Sequence, residues 1–338
     1  MVDILDIALS SILFLSLKEK VLVRKELDSE GDFAVLSSER LSSIIGREVR
    51  SKNWTGESAL RTAEKSAAIM ERLSDGRFGI RSCRYDDASY PPLLREMADP
   101  PYMIFYRGSM DCLLNPCVSV VGTRRVCREC AQATFDFASD AARDGLTVVS
   151  GLAYGVDSFA HKGAVSVDGG KSAAVLPCGI DSVVPGGHRK LAEKILSSGG
   201  ILLSEYLPGV SSEPWRFVQR NRIIAGLSRC VLVTQAPPGS GALITVDFAL
   251  GYGRDVVFHE AGLCDEAKRL SESSALALRV KGGKSAEAKL RNSFEEYVKS
   301  GAPLISGYED FKRFQDEAPG THKIKTVQLD LFDLAVND

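Results

Sequence analysis

Residues 217–228 read Phe-Val-Gln-Arg-Asn-Arg-Ile-Ile-Ala-Gly-Leu-Ser, a cationic turn that enters a helix. Short apolar runs lie on either side of it, at residues 201–205 and 230–234. Such runs, bounded by glycine-rich turns, are typical of strands buried in a parallel sheet. Because doubly wound sheets bind ligands at the carboxyl ends of their strands, the stretch predicts Arg220 and Arg222 near a ligand site.

The same alternation of apolar runs and helical stretches continues through the middle of the chain. Strand, helix, strand, repeated, indicates a parallel sheet with helices on both faces. The sequence therefore predicts an α/β protein with a Rossmann-like, doubly wound, mainly parallel sheet, preceded by a small helical domain. The predicted strands are residues 118–121, 146–150, 173–176, 201–205, 230–234 and 255–259.

Three regions are expected along the chain. Residues 1–81 have leucine and isoleucine at helical spacing and predict a small helical domain, SAM-like or helix-hairpin-like. Prolines near residue 91 mark the entry to an extended Rossmann-like domain, residues 82–310, in which 261–300 read as helical. Residues 311–338 turn polar and predict a flexible tail.

Composition limits the classes of function. A net charge of −2 excludes a protein that coats itself in nucleic acid, so any DNA site must be local. The first apolar run, residues 4–17, is interrupted by Asp6 and is shorter than the roughly 20 residues of a membrane span. We expect a cytoplasmic protein that does not contact the membrane.

The eight cysteines are scattered, which favours reduced thiols over a disulfide framework. Cys127 and Cys130 form one C-x-x-C pair, but a zinc site needs about four ligands and no second pair has a suitable spacing. The pattern predicts ordinary packing and no metal. No cofactor is predicted either.

The first predicted strand ends in Gly122-Thr-Arg124-Arg125 rather than in the G-x-G-x-x-G of dinucleotide sites. Glycine allows a sharp turn that opens helix amides toward an anion, and arginine offers a planar, permanently charged donor to phosphate. The turn favours a phosphate polymer over a dinucleotide. A solvated loop arginine is the alternative.

The second predicted strand ends in a turn with Gly151 and Gly155, which predicts a concavity lined by amides. Asp157 and His161 follow in the next helix. They resemble an acid and base pair, but a helix cap and a packed histidine are favoured, because no nucleophile with a base is evident.

The helix that follows the fourth predicted strand contains Arg220, Asn221 and Arg222. If the first and fourth strands flank the point where the strand order reverses, Arg220 faces Arg124 across a crevice and the two clamp phosphates. Adjacent helical positions diverge by about 100 degrees, so Arg220 and Arg222 cannot both face the crevice. We expect Arg222 to be a structural partner of Glu205 instead.

A glycine-serine turn after the fifth strand, with Ser240 and Gly241, enters another helix. Its amides and hydroxyl predict a further phosphate contact. The same turn is similar to one in nucleotide phosphoribohydrolases of the lysine-decarboxylase-like family. Those enzymes add glutamate pairs, whereas Asp247 is the nearby carboxylate here.

Taken together, Gly122-Thr-Arg124, the block 150–157 and residues 217–228 resemble the bacterial DNA-processing protein A family, also called Smf. The resemblance implies a non-enzymatic protein that binds single-stranded DNA, delivers it to the RecA recombinase in transformation or recombination, and forms a homodimer. Tyr154 departs from the family, whose members usually have Arg or Lys there.

The resemblance also implies a cation in a Tyr-Pro-x-x-Asn motif after the third strand. Gly186 occupies that position here, so Arg189, or else Lys190, is the expected substitute. Many members end in a winged-helix domain, and too few residues follow 310 to form one.

The segment Gln328-Leu329-Asp-Leu331-Phe332 matches the peptide with which bacterial proteins dock on the replication sliding clamp. Leu329, Leu331 and Phe332 would be apolar anchors, and Gln328 would form hydrogen bonds. The alternatives for this segment are a short terminal strand and a tail that folds back on its own domain. For the whole chain, the alternatives are a clamp-tethered adaptor and a nucleotide-hydrolysing enzyme.

Overall fold

The computed structural model describes residues 3–51, 53–76 and 79–317. The amino-terminal region is mostly helical. Its helices are α1 (Ile4–Ser10), α2 (Leu17–Lys25), α3 (Glu30–Ala34), α4 (Ser38–Ile45) and α5 (Gly56–Arg72). Side-chain caps define where these helices begin: Ser16 accepts a hydrogen bond from the Glu19 amide, and the Glu19 carboxylate accepts one from the Ser16 amide.

A sheet of nine strands follows. Its strands are β1 (Arg81–Arg84), β2 (Met103–Gly108), β3 (Cys117–Val121), β4 (Thr147–Ser150), β5 (Lys171–Val175), β6 (Ile201–Ser204), β7 (Cys230–Val233), β8 (Asp255–His259) and β9 (Leu304–Ile305). Their order is β1-β2-β6-β5-β4-β3-β7-β8-β9. Only the β1–β2 and β2–β6 pairs are antiparallel among these described strands. The predicted doubly wound α/β fold is confirmed.

Helices cover both faces of the sheet. They are α6 (Pro92–Arg95), α7 (Arg128–Arg143), α8 (Val156–Ala164), α9 (Arg189–Ser197), α10 (Pro214–Gly226), α11 (Gly241–Gly251), α12 (Asp265–Lys281), α13 (Gly283–Arg291), α14 (Phe294–Lys299) and α15 (Tyr308–Asp316). Alternate residues of β3 point to opposite faces. Val120 packs in the cluster that contains Phe137 of α7, and Val121 in the one that contains Ile223 of α10.

The strand order corrects the predicted position of the crevice. From β3 the chain adds β4, β5 and β6 outward on one side, then returns to place β7 on the other side of β3. The order therefore reverses between β3 and β7, and the prediction that the first and fourth core strands flank this point is wrong. Helix α10 is the return connection from β6 to β7, and it brings Arg220 to the reversal point by this different route.

The amino-terminal helices pack against the β2 and β6 side of the sheet. Asp6 is buried and accepts hydrogen bonds from the Tyr102 hydroxyl at 2.5 Å and from Arg84 at 2.6 Å. The Ser66 hydroxyl donates to the Pro208 carbonyl at 2.8 Å. These contacts join residues far apart in the chain. The proposed division into domains at residue 82 stays a prediction.

The end of the described chain is more ordered than predicted. Helix α15 includes residues 311–316, so the prediction of a flexible tail from residue 311 is wrong for that part. Tyr308 and Phe311 lie on one face of α15 and pack on Phe137. Their ring centroids are 5.6 and 5.3 Å, respectively, from that of Phe137. Burial of aromatic surface explains why this segment docks. Within the described ranges, no helix is both long and apolar enough to cross a membrane.

Candidate nucleic-acid interface

A cleft of about 590 Å³ lies where the strand order reverses, at the carboxyl ends of β3 and β7. The β3–α7 loop, helix α10 and the start of α11 form its walls. The residues that line it are Val121, Gly122, Thr123, Arg124, Arg125, Ala153, Asp157, Pro214, Phe217, Val218, Arg220, Asn221, Ile224, Ser240, Gly241, Ala242 and Thr245. The Arg124 loop and helix α10, which contains Arg220, therefore meet at this cleft.

Arg124 and Arg125 are exposed on the loop between β3 and α7. The guanidinium carbon of Arg124 lies 5.0 Å from the centroid of the Phe217 ring, which gives a cation–π contact. The loop is anchored below by a hydrogen bond of 2.7 Å from the Thr123 amide to the Gln235 carbonyl. The two arginines thus present their charge to solvent from a fixed base.

Arg220 differs from the prediction of an open phosphate clamp. Its side chain is buried, with 3% of its surface exposed, and its Nη1 donates to the carbonyls of Gly151, at 2.6 Å, and Val175. Burial lowers the pKa of its guanidinium to about 10. The two carbonyls compete with any phosphate for this donor. Arg220 forms the cationic floor of the cleft and holds strand ends together.

The predicted amide-lined concavity at residues 151–155 is already filled from within the protein. The Asp157 Oδ2 accepts from the amides of Gly151, at 3.2 Å, and Ala153, at 3.3 Å. The His161 Nε2 accepts from the Leu152 amide at 3.2 Å. These three amides therefore already have acceptors within the protein, and DNA binding by this turn stays a prediction. An aspartate carboxylate takes the place of the phosphate.

The glycines shape the cleft through close approach. A Cβ on Gly122 would lie 2.5 Å from the Val156 side chain, and one on Gly151 would lie 2.6 Å from the Arg220 guanidinium. Gly155 has φ +78°, and its Cβ would lie 2.2 Å from the Thr123 carbonyl oxygen. Gly151 and Gly155 are not among the residues that line the cleft, and their close contacts fix the shape of the turn beside it.

Asp157 and His161 do not form an acid and base pair. Burial raises the pKa of Asp157, an effect that nearby Arg220 opposes. Burial also lowers the pKa of His161 to about 3. His161 is neutral, because its Nε2 accepts from an amide while Nδ1 lies 2.7 Å from the Ser172 hydroxyl. The expected packed histidine agrees with this geometry, but the expected helix cap is wrong: α8 has no side-chain cap, and Asp157 accepts from amides of the preceding turn.

The start of α11 forms the opposite wall of the cleft. Ser240 caps this helix, its hydroxyl accepting from the Ala242 amide at 3.4 Å, and Gly241 is its first residue. The Asn221 side chain donates to the Gly241 carbonyl at 3.1 Å and so joins α10 to α11. The positive end of a helix faces the cleft here. Ser240, Gly241 and Asn221 lie where the sequence predicts a phosphate site.

Arg222 pairs with Glu205, which confirms that prediction. Both side chains are buried, and Nη2 of Arg222 contacts the Glu205 carboxylate. The Asp99 carbonyl also accepts from Arg222. Burial of Glu205 raises its pKa, against the effect of Arg222. The pair lies outside the cleft, so Arg220 and Arg222, which are two positions apart on α10, point to different sides of the helix.

Arg189 does not reach the cleft. It is exposed at the start of α9 and is absent from the cleft lining. The Nδ1 atom of the neighbouring His188 donates to the Leu152 carbonyl at 2.8 Å, and the His188 ring packs edge-on against Tyr154. Gly186 is exposed with open space around it. The predicted substitution of Arg189 for the missing cation is therefore not seen in the cleft lining.

Phe217 is a lining residue whose role the sequence analysis did not assign. It is half-buried, and it supports Arg124. An aromatic residue one turn before Arg220, on a helix predicted to face a ligand, was the available signal. Nucleic-acid bases stack on such aromatic faces.

Three cysteines come together beside the cleft. Cys127 and Cys130, at the start of α7, meet Cys264, at the start of α12. Cys264 is the potential third metal ligand that the C-x-x-C spacing could not indicate. Gln328, Leu329, Leu331 and Phe332, the predicted clamp-binding residues, lie outside the described residues.

The chain is similar to a known protein family and to several known proteins. A family model described as DNA recombination-mediator protein A matches residues 81–282. The chain is 37% identical over 194 residues to Protein Smf of Borreliella burgdorferi, covering 57% of this chain and 61% of the relative. It is 41% identical over 170 residues to DNA processing protein DprA of Streptococcus pneumoniae, covering 50% and 59%. It thus spans less than two thirds of either curated relative.

Solved structures share the architecture. DNA processing protein A from Streptococcus pneumoniae matches with a TM-score of 0.66 and 28% identity, over 92% of this chain and 98% of that one. DNA processing protein A from Helicobacter pylori, solved for its single-stranded DNA binding mode, matches with a TM-score of 0.55 and 24% identity, over 70% and 96%. The second likeness concerns the fold alone.

Proposed function

We propose that this chain, which belongs to the DNA recombination-mediator protein A family, binds single-stranded DNA in the cleft between β3 and β7. In this proposal Arg124 and Arg125 neutralise phosphates, and the positive end of α11 faces a further one. Arg220 holds the floor of the cleft and adds positive potential from below.

The observation that carries the proposal is the pair of exposed arginines beside an aromatic ring. A single strand presents both phosphates and bases, and Arg124 and Phe217 offer a partner to each within 5.0 Å of one another. Grooves that bind single strands combine cations along the backbone with aromatic stacking platforms. Phosphate contacts and stacking do not distinguish bases, so we expect binding that is largely independent of sequence.

The charge pattern of the cleft supports binding over hydrolysis. Asp157 is the sole carboxylate among the described residues that line it, and its Oδ2 accepts from two backbone amides. A nucleotide hydrolase needs a carboxylate free to act as a base or a nucleophile. Asp247, the other nearby carboxylate, accepts hydrogen bonds from Tyr297 and Asn292. We therefore propose that the protein is not an enzyme.

The relatives add support of a different kind. DNA processing protein DprA of Streptococcus pneumoniae is named for DNA processing, and the Helicobacter pylori protein for its binding of single-stranded DNA. Delivery of the strand to RecA, homodimer formation and action in the cytoplasm are parts of the proposal that rest on the family resemblance. Docking on the sliding clamp through residues 328–332 stays a prediction, and a peptide of residues 326–338 that fails to bind the clamp would remove it.

Charge reversal tests the proposal. Arg124→Glu is expected to weaken binding of a labelled single-stranded oligonucleotide more than about tenfold, since a hydrogen bond to a charged group contributes roughly 1.5–3 kcal/mol. The matched control is Arg143→Glu, which reverses an exposed arginine at the far end of α7. The control is expected to bind like the wild type.

Two results would contradict the proposal. One is equal affinity of the wild type and Arg124→Glu for the oligonucleotide. The other is release of free base from a nucleoside monophosphate by the wild type, which would favour the phosphoribohydrolase alternative.

A further inference from the structure

Two helix starts that are far apart in the chain bring three thiols together. Cys127 immediately precedes α7, Cys130 lies in its first turn, and Cys264 immediately precedes α12. The three Sγ atoms lie within 4.8 Å of one another, and those of Cys127 and Cys264 are 3.8 Å apart. We call Cys127, Cys130 and Cys264 the thiol cluster.

We propose that the thiol cluster binds a zinc ion through its three sulfur atoms. Zinc takes tetrahedral sets of ligands with Zn–S bonds of about 2.3 Å, which places the sulfurs about 3.8 Å apart. The Cys127–Cys264 separation of 3.8 Å has this value already. A C-x-x-C pair at a helix start, completed by a distant cysteine, is a pattern of ligands that zinc sites use.

The backbone around the thiol cluster is held in place by other contacts. The Cys127 amide donates to the Gln235 side chain at 2.9 Å, and the Cys264 Sγ accepts from the Ala267 amide at 3.4 Å. The Cys130 thiol donates to the Ala261 carbonyl at 3.1 Å. The sulfurs are therefore positioned by α7, β7 and α12 together, and little rearrangement is needed to bring them onto one ion.

Burial defines how the ion enters and what completes the site. Cys127 and Cys130 are buried, whereas Cys264 is half-buried, so solvent reaches the thiol cluster from the Cys264 side. A water molecule from the open side would fill the fourth position.

The charges balance on binding. Each thiol loses its proton to solvent, so three thiolates and Zn²⁺ leave one net negative charge. The amino-terminal ends of α7 and α12, helices of 16 and 17 residues, stabilise that charge. Since α7 begins directly after the Arg124–Arg125 loop, the ion would tie the base of that loop to α12.

A disulfide between Cys127 and Cys264 is the competing fate of these thiols. A disulfide joins two sulfurs and leaves out that of Cys130, which lies in the same cluster, whereas a metal uses all three. Metal binding is therefore the better account of the cluster, and the experiment must separate the two.

The test uses the full chain, purified with a reductant, stripped with a chelator and titrated with Zn²⁺ or Co²⁺. The wild type is expected to bind a single ion per chain, with the thiolate-to-cobalt absorption of a sulfur-rich site. Cys264→Ser is expected to weaken this binding at least about a hundredfold, because loss of a ligand costs more than the roughly 10–100-fold loss that follows a change in an outer-shell partner. Cys230→Ser, in which a buried cysteine of β7 outside the cluster is changed, is the matched control and is expected to bind like the wild type.

Thermal unfolding of the wild type gives a second measurement that needs no variant to fold. Zinc is expected to raise its melting temperature and the chelator to lower it, because an ion that binds only the folded state stabilises it. Absence of stoichiometric binding, equal binding by Cys264→Ser, or a Cys127–Cys264 disulfide that forms equally with and without zinc would each overturn the proposal.

Discussion

Replacement of Arg220 by methionine separates a structural role for this residue from direct contact with DNA. The Arg220 side chain is 3% exposed, and its Nη1 donates to the Gly151 and Val175 carbonyls. Methionine keeps an apolar stem of similar length and removes every donor. We therefore expect Arg220→Met to destabilise the fold itself.

The magnitude follows from the groups left behind. Each buried carbonyl without a donor costs about 1–3 kcal/mol, and Asp157 also loses its neighbouring cation. Removal of one member of a buried charged arrangement costs about 3–5 kcal/mol in total. For 338 residues that unfold as a unit, the unfolding entropy is about 0.7 kcal/mol/K, at about 2.1 cal/mol/K per residue. The melting temperature should therefore fall by about 4–7 °C.

Thermal unfolding and oligonucleotide anisotropy, measured on the same preparations, make the comparison. Arg124→Met is the matched control, because Arg124 is exposed and its cation–π contact with Phe217 contributes only about 0.5–1 kcal/mol. The control is expected to melt within about 1–2 °C of the wild type, at the same entropy per residue, and to bind DNA weakly. If Arg220→Met melts like the wild type and loses DNA binding as Arg124→Met does, Arg220 contacts DNA directly and this reasoning is refuted.

Three further substitutions test the cleft and the buried turn beside it. Phe217→Ala is expected to lower single-stranded DNA affinity about five- to hundredfold, since stacking on an aromatic ring contributes about 1–3 kcal/mol per base. The salt dependence of binding should stay unchanged, because no charge is removed. Phe217→Tyr is the control, and a changed salt dependence in Phe217→Ala would contradict the stacking role. Burial holds the pKa of His161 at about 3 in the fold, below its ordinary value near 6.5, so the unfolded chain binds the proton first and stability falls as the pH drops below 6.5. Thermal unfolding should show about 2 kcal/mol less stability at about pH 5 than above pH 7 from this residue, and His161→Asn should lack that component; identical pH dependence in both proteins would argue against it. Gly155→Ala should destabilise the fold by more than about 1–2 kcal/mol, since Gly155 has φ +78° and an added Cβ would lie 2.2 Å from the Thr123 oxygen. Gly241→Ala is the control, because its Cβ meets open space, and it should melt like the wild type. Equal melting temperatures of the two variants would contradict this prediction.

The core strands could be predicted from the sequence because their signal is local. The six strands β3 to β8 begin and end within two residues of the predicted runs, since strands buried on both faces are short, apolar and bounded by turns. The sequence gives no such signal for β1, whose residues 81–84 read Arg-Ser-Cys-Arg, or for the two residues of β9. These strands form because a paired edge is already present. The reversal at β3 and β7 also depends on pairing, which spacing along the chain does not encode.

The sequence could predict only those features of the site that depend on residue type and on position within a turn. The loop of Arg124 needs a glycine turn and exposed charge, and both are local features. Arg220 carries the same charge, but its neighbours are carbonyls from residues 151 and 175, which the fold brings to it. Likewise the Asp157 carboxylate fills the turn that the glycines suggested for phosphate, and Cys264 reaches Cys127 across 137 residues. Long-range packing decided each of these outcomes.

The most direct test of the central claim is the salt dependence of single-stranded oligonucleotide binding, measured by anisotropy for the wild type and Arg124→Ala, with unlabelled duplex as competitor. Three or four neutralised phosphates, at about 0.7 each, predict a slope of log affinity against log salt of about −2 to −3 for the wild type. Arg124→Ala is expected to bind more weakly, with a slope shallower by about 0.7, and duplex is expected not to displace the strand. No binding at low salt, or the same affinity and slope in both proteins, would contradict single-stranded DNA binding in this cleft.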